Sequence, residues 1–225
     1  MRPVALHGDS PALIRPHASA RTADGGTGLF AVTSGAEGVH LRDYPTLDGQ
    51  RAADLVLSNA PATRVGAGDT AHAIEAALDI GLAALCAEAV GIMDATIAAT
   101  TDYLKTRQQF GQPIGRFQAL QHRMADMLLH LEQARSMSYL AAMHCTDLNT
   151  AARRRVLSAA KVTIGQACRF IAQNAVQLHG GMGMSDELIL SHWFKRLTVI
   201  EMTFGDTDFH LQRFATNLSQ ASRAA

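Results

Sequence analysis

The spacing of apolar residues divides the sequence into two regions of different texture. Residues 1–66 carry short apolar runs, such as 28–33 and 53–58, separated by glycine-rich pieces at 24–27 and 34–38. Short apolar runs between such turns are typical of β-strands. We expect three or four strands here. Because two- or three-stranded pieces are rarely stable alone, the pattern predicts a partial β-domain with an incomplete sheet.

From residue 67 to residue 225 the apolar residues recur at intervals of three and four, which is the period of an amphipathic helix. The pattern predicts a long first helix that ends at about Thr106. Further helices are expected at about 117–145, 150–178 and 185–202, and a short fifth helix from about 206. Long helices joined by short connections predict a mainly α fold, an antiparallel four-helix bundle preceded by the partial β-domain.

Short polar residues and glycines mark the ends of these helices. Side-chain oxygens at a helix start accept hydrogen bonds from free N–H groups, whereas consecutive glycines end a helix and adopt left-handed conformations cheaply. The candidate caps are Asp69 or Thr70 for the first helix, Asp147 or Asn149 for the third, and Ser185 for the fourth. The glycine-rich segment 180–183 is expected to end the third helix.

Composition and charge exclude several classes of function. The 225 residues are 48% hydrophobic, enough for a sizeable core, and the formal net charge is +0. A neutral chain offers no field that attracts nucleic acid or an anionic membrane surface. Three widely spaced cysteines indicate buried thiols in a reducing compartment, and residues 1–21 contain no apolar run long enough for a signal peptide or membrane span. We therefore expect a cytoplasmic protein.

The most distinctive stretch is 107–115, RQQFGQPIG, which lies between the first two predicted helices. Its Gly111, Pro113 and Gly115 break helices, so a turn is expected. A guanidinium, two side-chain amides and an aromatic ring occupy the four positions from Arg107. Such a set can bind an anion and stack on a flat ring.

A succession of motifs resembles the C-terminal domain of the acyl-CoA dehydrogenases. The motifs are RQQFG at 107–111, IGRFQ at 114–118, MADM at 124–127, QLHGGMG at 177–183 and FGDT at 204–207. The segment YPTLDG at 44–49 is similar to the second half of that family's middle β-domain. The resemblance covers about residues 20–220. The family's N-terminal helical domain and the first half of its β-domain have no counterpart in this sequence.

The resemblance implies an FAD enzyme that dehydrogenates an acyl-CoA thioester between Cα and Cβ, with an electron-transfer flavoprotein as its partner. It places Arg107 on the FAD pyrophosphate of a neighbouring subunit, with Gln109 beside it and Phe110 on the adenine. The other implied FAD contacts are Gln177, Gly180, Gly181 and Thr207. A site shared between subunits implies a homo- or hetero-oligomer.

Plainer interpretations of these residues remain open beside the flavin interpretation. Arg107 is also a cation at a helix C-terminus, where the helix dipole favours it. Gly180 and Gly181 are also an ordinary helix C-cap. His179 and His210 are interpreted as structural histidines. No second type of metal ligand stands at a suitable spacing, so no metal site is expected.

The catalytic carboxylate is where the sequence departs from the family's pattern. The resemblance places a glutamate directly after an aromatic residue, and here Gly205 follows Phe204. A second family arrangement places it on the first bundle helix, where Gly81 stands. Of a nearby acidic and basic pair that lines the acyl-CoA site, Asp79 is present and Leu82 replaces the arginine.

Asp206 is the candidate base, one residue beyond the family's usual position. One residue rotates a helical side chain by about 100°, and aspartate is one methylene shorter than glutamate. The same aspartate is also a natural N-cap for the last helix. Two hypotheses follow. Either the chain is an FAD-dependent acyl-CoA dehydrogenase or a subunit of one, or it is a non-catalytic partner or truncated chain that completes the flavin site of a neighbour.

Overall fold

The computed structural model describes the backbone of residues 4–6 and 17–224 and the side chains of residues 17–217. The chain divides into two compact units, Met1–Glu75 and Ala76–Ala225. Among the residues that the structure describes, the first unit holds six β-strands and the second holds nearly all of the helical structure.

The strands of the first unit form two antiparallel sheets of three strands each. The strands are β1 (Val4–Leu6), β2 (His17–Arg21), β3 (Thr27–Val32), β4 (Val39–Pro45), β5 (Arg51–Leu57) and β6 (Ala62–Val65). One sheet has the order β1-β5-β4 and the other β2-β3-β6. The sequence predicted three or four strands, so the described residues contain more strands than expected.

The two apolar runs that predicted strands correspond to the central strands of these sheets. In β3, Val32 is buried, and in β5, Ala52 and Ala53 are buried. A central strand has neighbours on both edges, which explains why its apolar signal is stronger than that of the edge strands. The edge strands β2 and β6 are mostly exposed and polar, and the sequence gives them a weak pattern.

Five helices and a short hairpin follow the strands. The helices are α1 (Ala71–Thr106), α2 (Gln118–His144), α3 (Thr150–His179), α4 (Ile189–Met202) and α5 (Thr207–Ala224). The hairpin between α1 and α2 consists of β7 (Gln108–Gln109) and β8 (Gln112–Pro113). This mainly helical architecture confirms the predicted fold class. The fifth helix is longer than expected and exceeds α4 in length.

Helix α3 is the central helix of the bundle. It packs against α2, α4 and α5, and its Leu157, Ile164 and Ile171 are fully buried. These residues recur every seven positions and so lie on one face. Each such side chain contributes about 1.5–3 kcal/mol of hydrophobic stabilisation when fully buried. The face of α3 therefore fixes where α4 and α5 lie.

The helix ends agree with the sequence in three places and differ in one. Asn149 caps α3 by accepting from the Ala152 N–H at 3.1 Å, and the Asp69 carboxylate accepts from the Ala71 N–H at 3.0 Å at the start of α1. Gly180, with φ +61°, ends α3. The predicted Ser185 cap is wrong, because α4 begins at Ile189. The Ser185 hydroxyl instead accepts from Glu187 N–H, closing a local turn before the helix.

Helix α1 is long and apolar enough to cross a membrane by length and composition alone, with a mean hydropathy of 1.8 over 18 residues. Its Leu82, Cys86 and Met93 are buried in the hydrophobic core. A core helix has the same composition as a membrane span, because both exchange water for an apolar environment. Packing inside the second unit buries 44% of that 18-residue window.

A buried ion pair joins α1 to α3. The Arg153 Nε donates to Asp79 Oδ2 at 2.7 Å, and both side chains are at most 4% exposed. Arg153 also donates to the Asp147 carbonyl at 2.6 Å, and Arg213 of α5 lies 3.6 Å from the other Asp79 oxygen. Two arginines thus surround one carboxylate. Asp79 serves to connect three helices.

We expect Asp79→Ala to lower the free energy of unfolding by about 3–5 kcal/mol, because it leaves the Arg153 guanidinium buried without its counter-charge. Asp94→Ala is the matched control on the same helix. Its ion pair with Arg135 is exposed, and such pairs contribute little. Urea unfolding of both variants tests the difference. Equal losses in the two variants would show that the Asp79 pair does not stabilise the bundle.

Candidate functional site

The hairpin after α1 has a two-residue turn with an unusual composition. Phe110 and Gly111 form the turn, with φ values of +54° and +75°. Positive φ at both central positions is the pattern of a type I′ turn, which suits the twist of a hairpin. The Ile114 N–H donates to the Arg107 carbonyl at 2.8 Å and closes the hairpin at its base. Arg107 and Gln109 are both exposed on it.

Phe110 projects from the tip of this hairpin. Its side chain is 88% exposed, and its ring meets Phe117 edge to face with the ring centres 6.0 Å apart. A bulky residue in the left-handed region is strained, and a large exposed ring gains no burial to offset that strain. Such a combination is typical of a residue that contacts a ligand or another chain. The guanidinium of Arg107 lies at the base of the same hairpin.

A second exposed patch lies at the end of α3. Gln177, Gly180 and Gly181 are all exposed, and the Gly180 N–H donates to the Gln177 carbonyl. An added Cβ at either glycine would meet no atom within 4 Å. The backbone here therefore faces open space, and a ligand can approach it closely.

Tyr103 and His179 bring these two patches to the same end of the bundle. Their rings stack with centres 4.3 Å apart, and the Tyr103 hydroxyl donates to the His179 carbonyl at 3.3 Å. Tyr103 lies one turn before Arg107, and His179 directly precedes Gly180. Six of the predicted cofactor contacts therefore belong to neighbouring segments. His179 itself is buried and its Nδ1 donates to the Ala175 carbonyl, which is a structural role.

The remaining predicted residues lie in and after the turn that joins α4 to α5. The turn contains Phe204 and Gly205, with φ values of +59° and +106°. Asp206 is exposed, and its Oδ1 accepts from the Phe209 N–H at 2.8 Å. Asp206 therefore caps α5. The sequence left two roles open for Asp206, helix cap and catalytic base, and the structure shows the first of them.

The Thr207 hydroxyl is engaged within the chain. It donates to Glu201 Oε1 at 2.9 Å, and the same oxygen accepts from Arg169 at 3.1 Å. Gly165 of α3 makes room for this group, since a Cβ there would lie 2.8 Å from the Thr207 Oγ1. Thr207 thus lies far along the chain from the hairpin and has an internal partner.

A side chain is disfavoured at Gly205, and at Gly81 it would require a small shift of a neighbouring ring. A Cβ on Gly81 would lie 3.3 Å from the Phe204 ring, and a Cβ on Gly205 would lie 2.4 Å from the Phe209 ring. The φ of Gly205 also disfavours any side chain. The Phe204 ring lies against Gly81, and Gly205 directly follows Phe204 in the chain.

Two buried cations near this turn were missed by the sequence reasoning. Lys161 is 1% exposed and donates to two backbone carbonyls, at Glu201 and Gly205. Arg153 pairs with Asp79. A signal for Lys161 did exist in the sequence, because it shares the helical phase of Leu157 and Ile164, which predicts burial for all three.

Across residues 17–217, no three His, Cys, Asp or Glu side chains stand close enough together to hold a metal ion. His210, the second histidine interpreted as structural, is fully buried. Its Nε2 donates to the Phe204 carbonyl at 3.1 Å, and its Nδ1 lies 3.3 Å from the Ser158 hydroxyl. Both ring nitrogens thus have partners inside the chain.

Comparison with known proteins agrees with this geometry. A model of the acyl-CoA dehydrogenase C-terminal domain matches residues 68–219. The acyl-CoA dehydrogenase IpdE2 of Mycolicibacterium smegmatis is 36% identical over 155 residues, which cover 68% of this chain and 44% of that protein. An acyl-CoA dehydrogenase of Bacillus subtilis is 34% identical over 142 residues, which cover 61% and 37%. The chain thus spans less than half the length of these curated relatives.

Solved structures of similar fold cover more of the chain. A variant of the Tcur3481-Tcur3483 steroid ACAD superposes with a TM-score of 0.82 at 29% identity, over 92% of this chain and 55% of that chain. The ChsE4-ChsE5 complex from Mycobacterium tuberculosis superposes with a TM-score of 0.78 at 23% identity, over 91% and 55%. The second comparison shows the fold alone.

We expect the stability of the chain to fall as the pH decreases from about 6.5 to about 4, in part through His210. Burial lowers the pKa of His210 from 6.5 to about 4. Between these values the unfolded chain binds a proton at this histidine and the folded chain does not, so acid favours unfolding. His210→Gln should make the fall shallower.

The free energy of unfolding in urea at several pH values measures this slope. His122→Gln is the matched control, since His122 is exposed on α2. A pH dependence that is the same in wild type and His210→Gln would contradict the assignment.

Proposed function

Because the chain belongs to the acyl-CoA dehydrogenase family through its C-terminal domain, we propose that it forms part of an FAD-dependent acyl-CoA dehydrogenase, as a subunit of an oligomer. The observation that carries the proposal is the rigid hairpin that exposes Phe110 beside Arg107. The reaction is the removal of hydrogen from Cα and Cβ of an acyl-CoA thioester. FAD, when bound, accepts the hydride equivalent.

The hairpin residues fit the dinucleotide part of FAD. The Arg107 guanidinium stays charged and can donate two parallel hydrogen bonds, which suits a pyrophosphate. Gln109 adds an uncharged amide beside it. The exposed Phe110 ring offers a flat apolar face to an adenine, and its burial by a ligand would offset the strain of its turn.

The patch at the end of α3 fits the same ligand. Gly180 and Gly181 leave their backbone open, and Gln177 adds a side-chain amide. A backbone without side chains lets the phosphate oxygens of a ligand approach closely. Thr207 lies beside Gly165, midway along α3, and its bond to Glu201 makes it the weakest of the proposed cofactor contacts.

The length of α1 supports a site shared between subunits. Gly81 and Thr106 are 25 residues apart on one helix, which corresponds to about 38 Å at 1.5 Å per residue. That is longer than a dinucleotide extends. Arg107 and the acyl-CoA cleft, which the family resemblance places beside Gly81, therefore serve two different flavin sites, and the hairpin serves a site that another chain completes.

Asp206 is the base that this chain itself offers. It is an exposed carboxylate two residues after Phe204, at the start of α5. In this role Asp206 would remove the proton from Cα, while its bond to the Phe209 N–H holds the carboxylate in place. That bond stabilises the ionised form, which weakens a base, so the two roles compete.

A second candidate keeps the reaction and moves the base to another chain. The specific observation in its favour is that glycine occupies both family positions for the base, Gly81 and Gly205, and that the backbone and the Phe209 ring disfavour any side chain at Gly205. In that case this chain contributes Arg107, Phe110 and the Gln177 patch to a catalytic neighbour. An electron-transfer flavoprotein as the electron acceptor and a cytoplasmic location complete the proposal in either case.

Flavin content and bleaching separate these candidates. The chain is purified alone and after co-expression with the products of adjacent genes, and its absorbance near the flavin bands is recorded before and after anaerobic addition of saturated acyl-CoA thioesters. Bleaching by the chain alone would reject the second candidate. No flavin in either preparation would reject the proposed function.

We expect Arg107→Ala to reduce the flavin content of the oligomer several-fold, because the pyrophosphate loses a charged, bidentate donor. The bound flavin per chain is measured by absorbance after denaturation. Arg116→Ala is the matched control, since Arg116 is also exposed and closely follows the hairpin. Equal flavin content in both variants and wild type would contradict the role of Arg107.

We expect Asp206→Asn to lower turnover by about 100- to 10,000-fold if Asp206 is the base. Asparagine caps a helix as well as aspartate, so the stability should change little. Asp208→Asn, in the same first turn of α5, is the control. Turnover in an active preparation is measured with an artificial electron acceptor, and unchanged turnover would show that the base lies elsewhere.

A further inference from the structure

A lysine is buried beneath the turn between α4 and α5. Lys161 lies on the central helix α3 and is 1% exposed. Its Nζ donates to the carbonyl of Glu201 at 2.7 Å and to the carbonyl of Gly205 at 2.8 Å. The first acceptor belongs to the last turn of α4, and the second belongs to the turn itself. One ammonium thus connects the end of α4 to the residue that leads into α5.

The turn above this lysine has a backbone that needs support. Phe204 and Gly205 both have positive φ, and for a phenylalanine that conformation is strained. The Phe204 carbonyl accepts from His210 and the Gly205 carbonyl from Lys161, so side chains satisfy the carbonyls of both positive-φ residues. Unsatisfied carbonyls in this buried place would favour a different turn.

Both hydrogen bonds of the Lys161 ammonium go to backbone carbonyls rather than to a carboxylate. The titratable groups that face it are Cys86 of α1, Cys168 of α3, Glu201 of α4, and Asp206 and His210 at the start of α5. The Glu201 carboxylate is engaged by Thr207 and Arg169. Burial lowers the pKa of Lys161. Its binding partners are therefore carbonyl dipoles at a helix C-terminus, where a cation is favoured.

The backbone of this turn sets the position of the Phe204 ring. The ring lies against Gly81 of α1, so close that a Cβ on Gly81 would have to displace it. The ring is still 45% exposed, and it is therefore not fixed by burial on all sides. Its place depends on the backbone of the turn.

We propose that Lys161 is a positioning residue that locks the turn between α4 and α5. The locked turn holds the Phe204 ring over Gly81, where the ring closes the cleft that the proposed function assigns to the acyl-CoA of this chain. The identification of the cleft rests on the proposed function. The locking of the turn does not, because it follows from the bonds of Lys161 alone. The Phe204 ring thus closes the cleft, and Lys161 acts by fixing the turn that carries the ring.

Hydrogen exchange tests the locking of the turn in the full chain. Lys161→Met keeps an unbranched side chain, one atom shorter than lysine, and removes all donors. We expect exchange of the amides of residues 203–207 to accelerate at least about tenfold, and more than that of α2 amides such as Met127. Lys195→Met is the matched control, at a partly exposed lysine of α4 that pairs with Asp186. Equal acceleration in residues 203–207 and in α2, or no acceleration in residues 203–207, would overturn the positioning role.

Ligand binding tests the closure. Octanoyl-CoA is titrated into wild type, Lys161→Met, Phe204→Ala and the double variant, and binding is followed by calorimetry. We expect each single variant to bind at least about tenfold more tightly than wild type. The double variant should equal Phe204→Ala, because the lysine acts through the ring. Unchanged binding in Phe204→Ala would overturn closure by the ring, whatever the exchange experiment shows.

Lys161→Gln provides a second variant if Lys161→Met does not fold. Its amide can still donate to both carbonyls but carries no charge. We expect a smaller acceleration of exchange, confined to the same turn. No acceleration in residues 203–207 would overturn the role of the charge. Neither exchange experiment requires flavin or turnover, so a failure of the proposed function would leave its outcome intact.

Discussion

The arrangement of the second unit depends on one buried ammonium, that of Lys161, and on two backbone carbonyls at the end of α4 and in the turn beyond it. A charge inside a core is costly unless polar groups surround it. Here the carbonyls at a helix C-terminus supply them, and Gly165, one turn along α3, gives the clearance that lets Glu201 and Thr207 approach. The position of α5, the cap at Asp206 and the Phe204 ring all follow from this arrangement.

The two ends of α1 carry different kinds of information about function. At one end, the hairpin and the glycine patch have the exposure and charge that suit an anionic, aromatic ligand. At the other end, Asp79 and Gly81 belong to an ion pair and an aromatic contact that leave little room for chemistry. A chain can keep the first end while losing the second, because no packing interaction requires both.

Much of this could be predicted from the sequence where a local rule decided the outcome. The period of three and four found the helices, Asn149 and Gly180 marked helix ends, and breaking residues located the hairpin. The Ser185 cap failed because a serine can close a local turn as readily as it caps a helix. Contacts between distant segments determine the position of the Phe204 ring against Gly81 and the partners of Lys161 and Arg153. No local pattern encodes such contacts.

The strained turn at Phe110 has a consequence for protein engineering. Asparagine or glycine at that position would relieve the left-handed strain and remove an exposed apolar ring, so a screen for heat resistance or solubility would select against phenylalanine. If the hairpin serves the proposed flavin site, a variant improved in this way would fold better and bind flavin less well. Thermal stability and flavin binding are then opposing objectives for this hairpin, and a selection scheme should score both together.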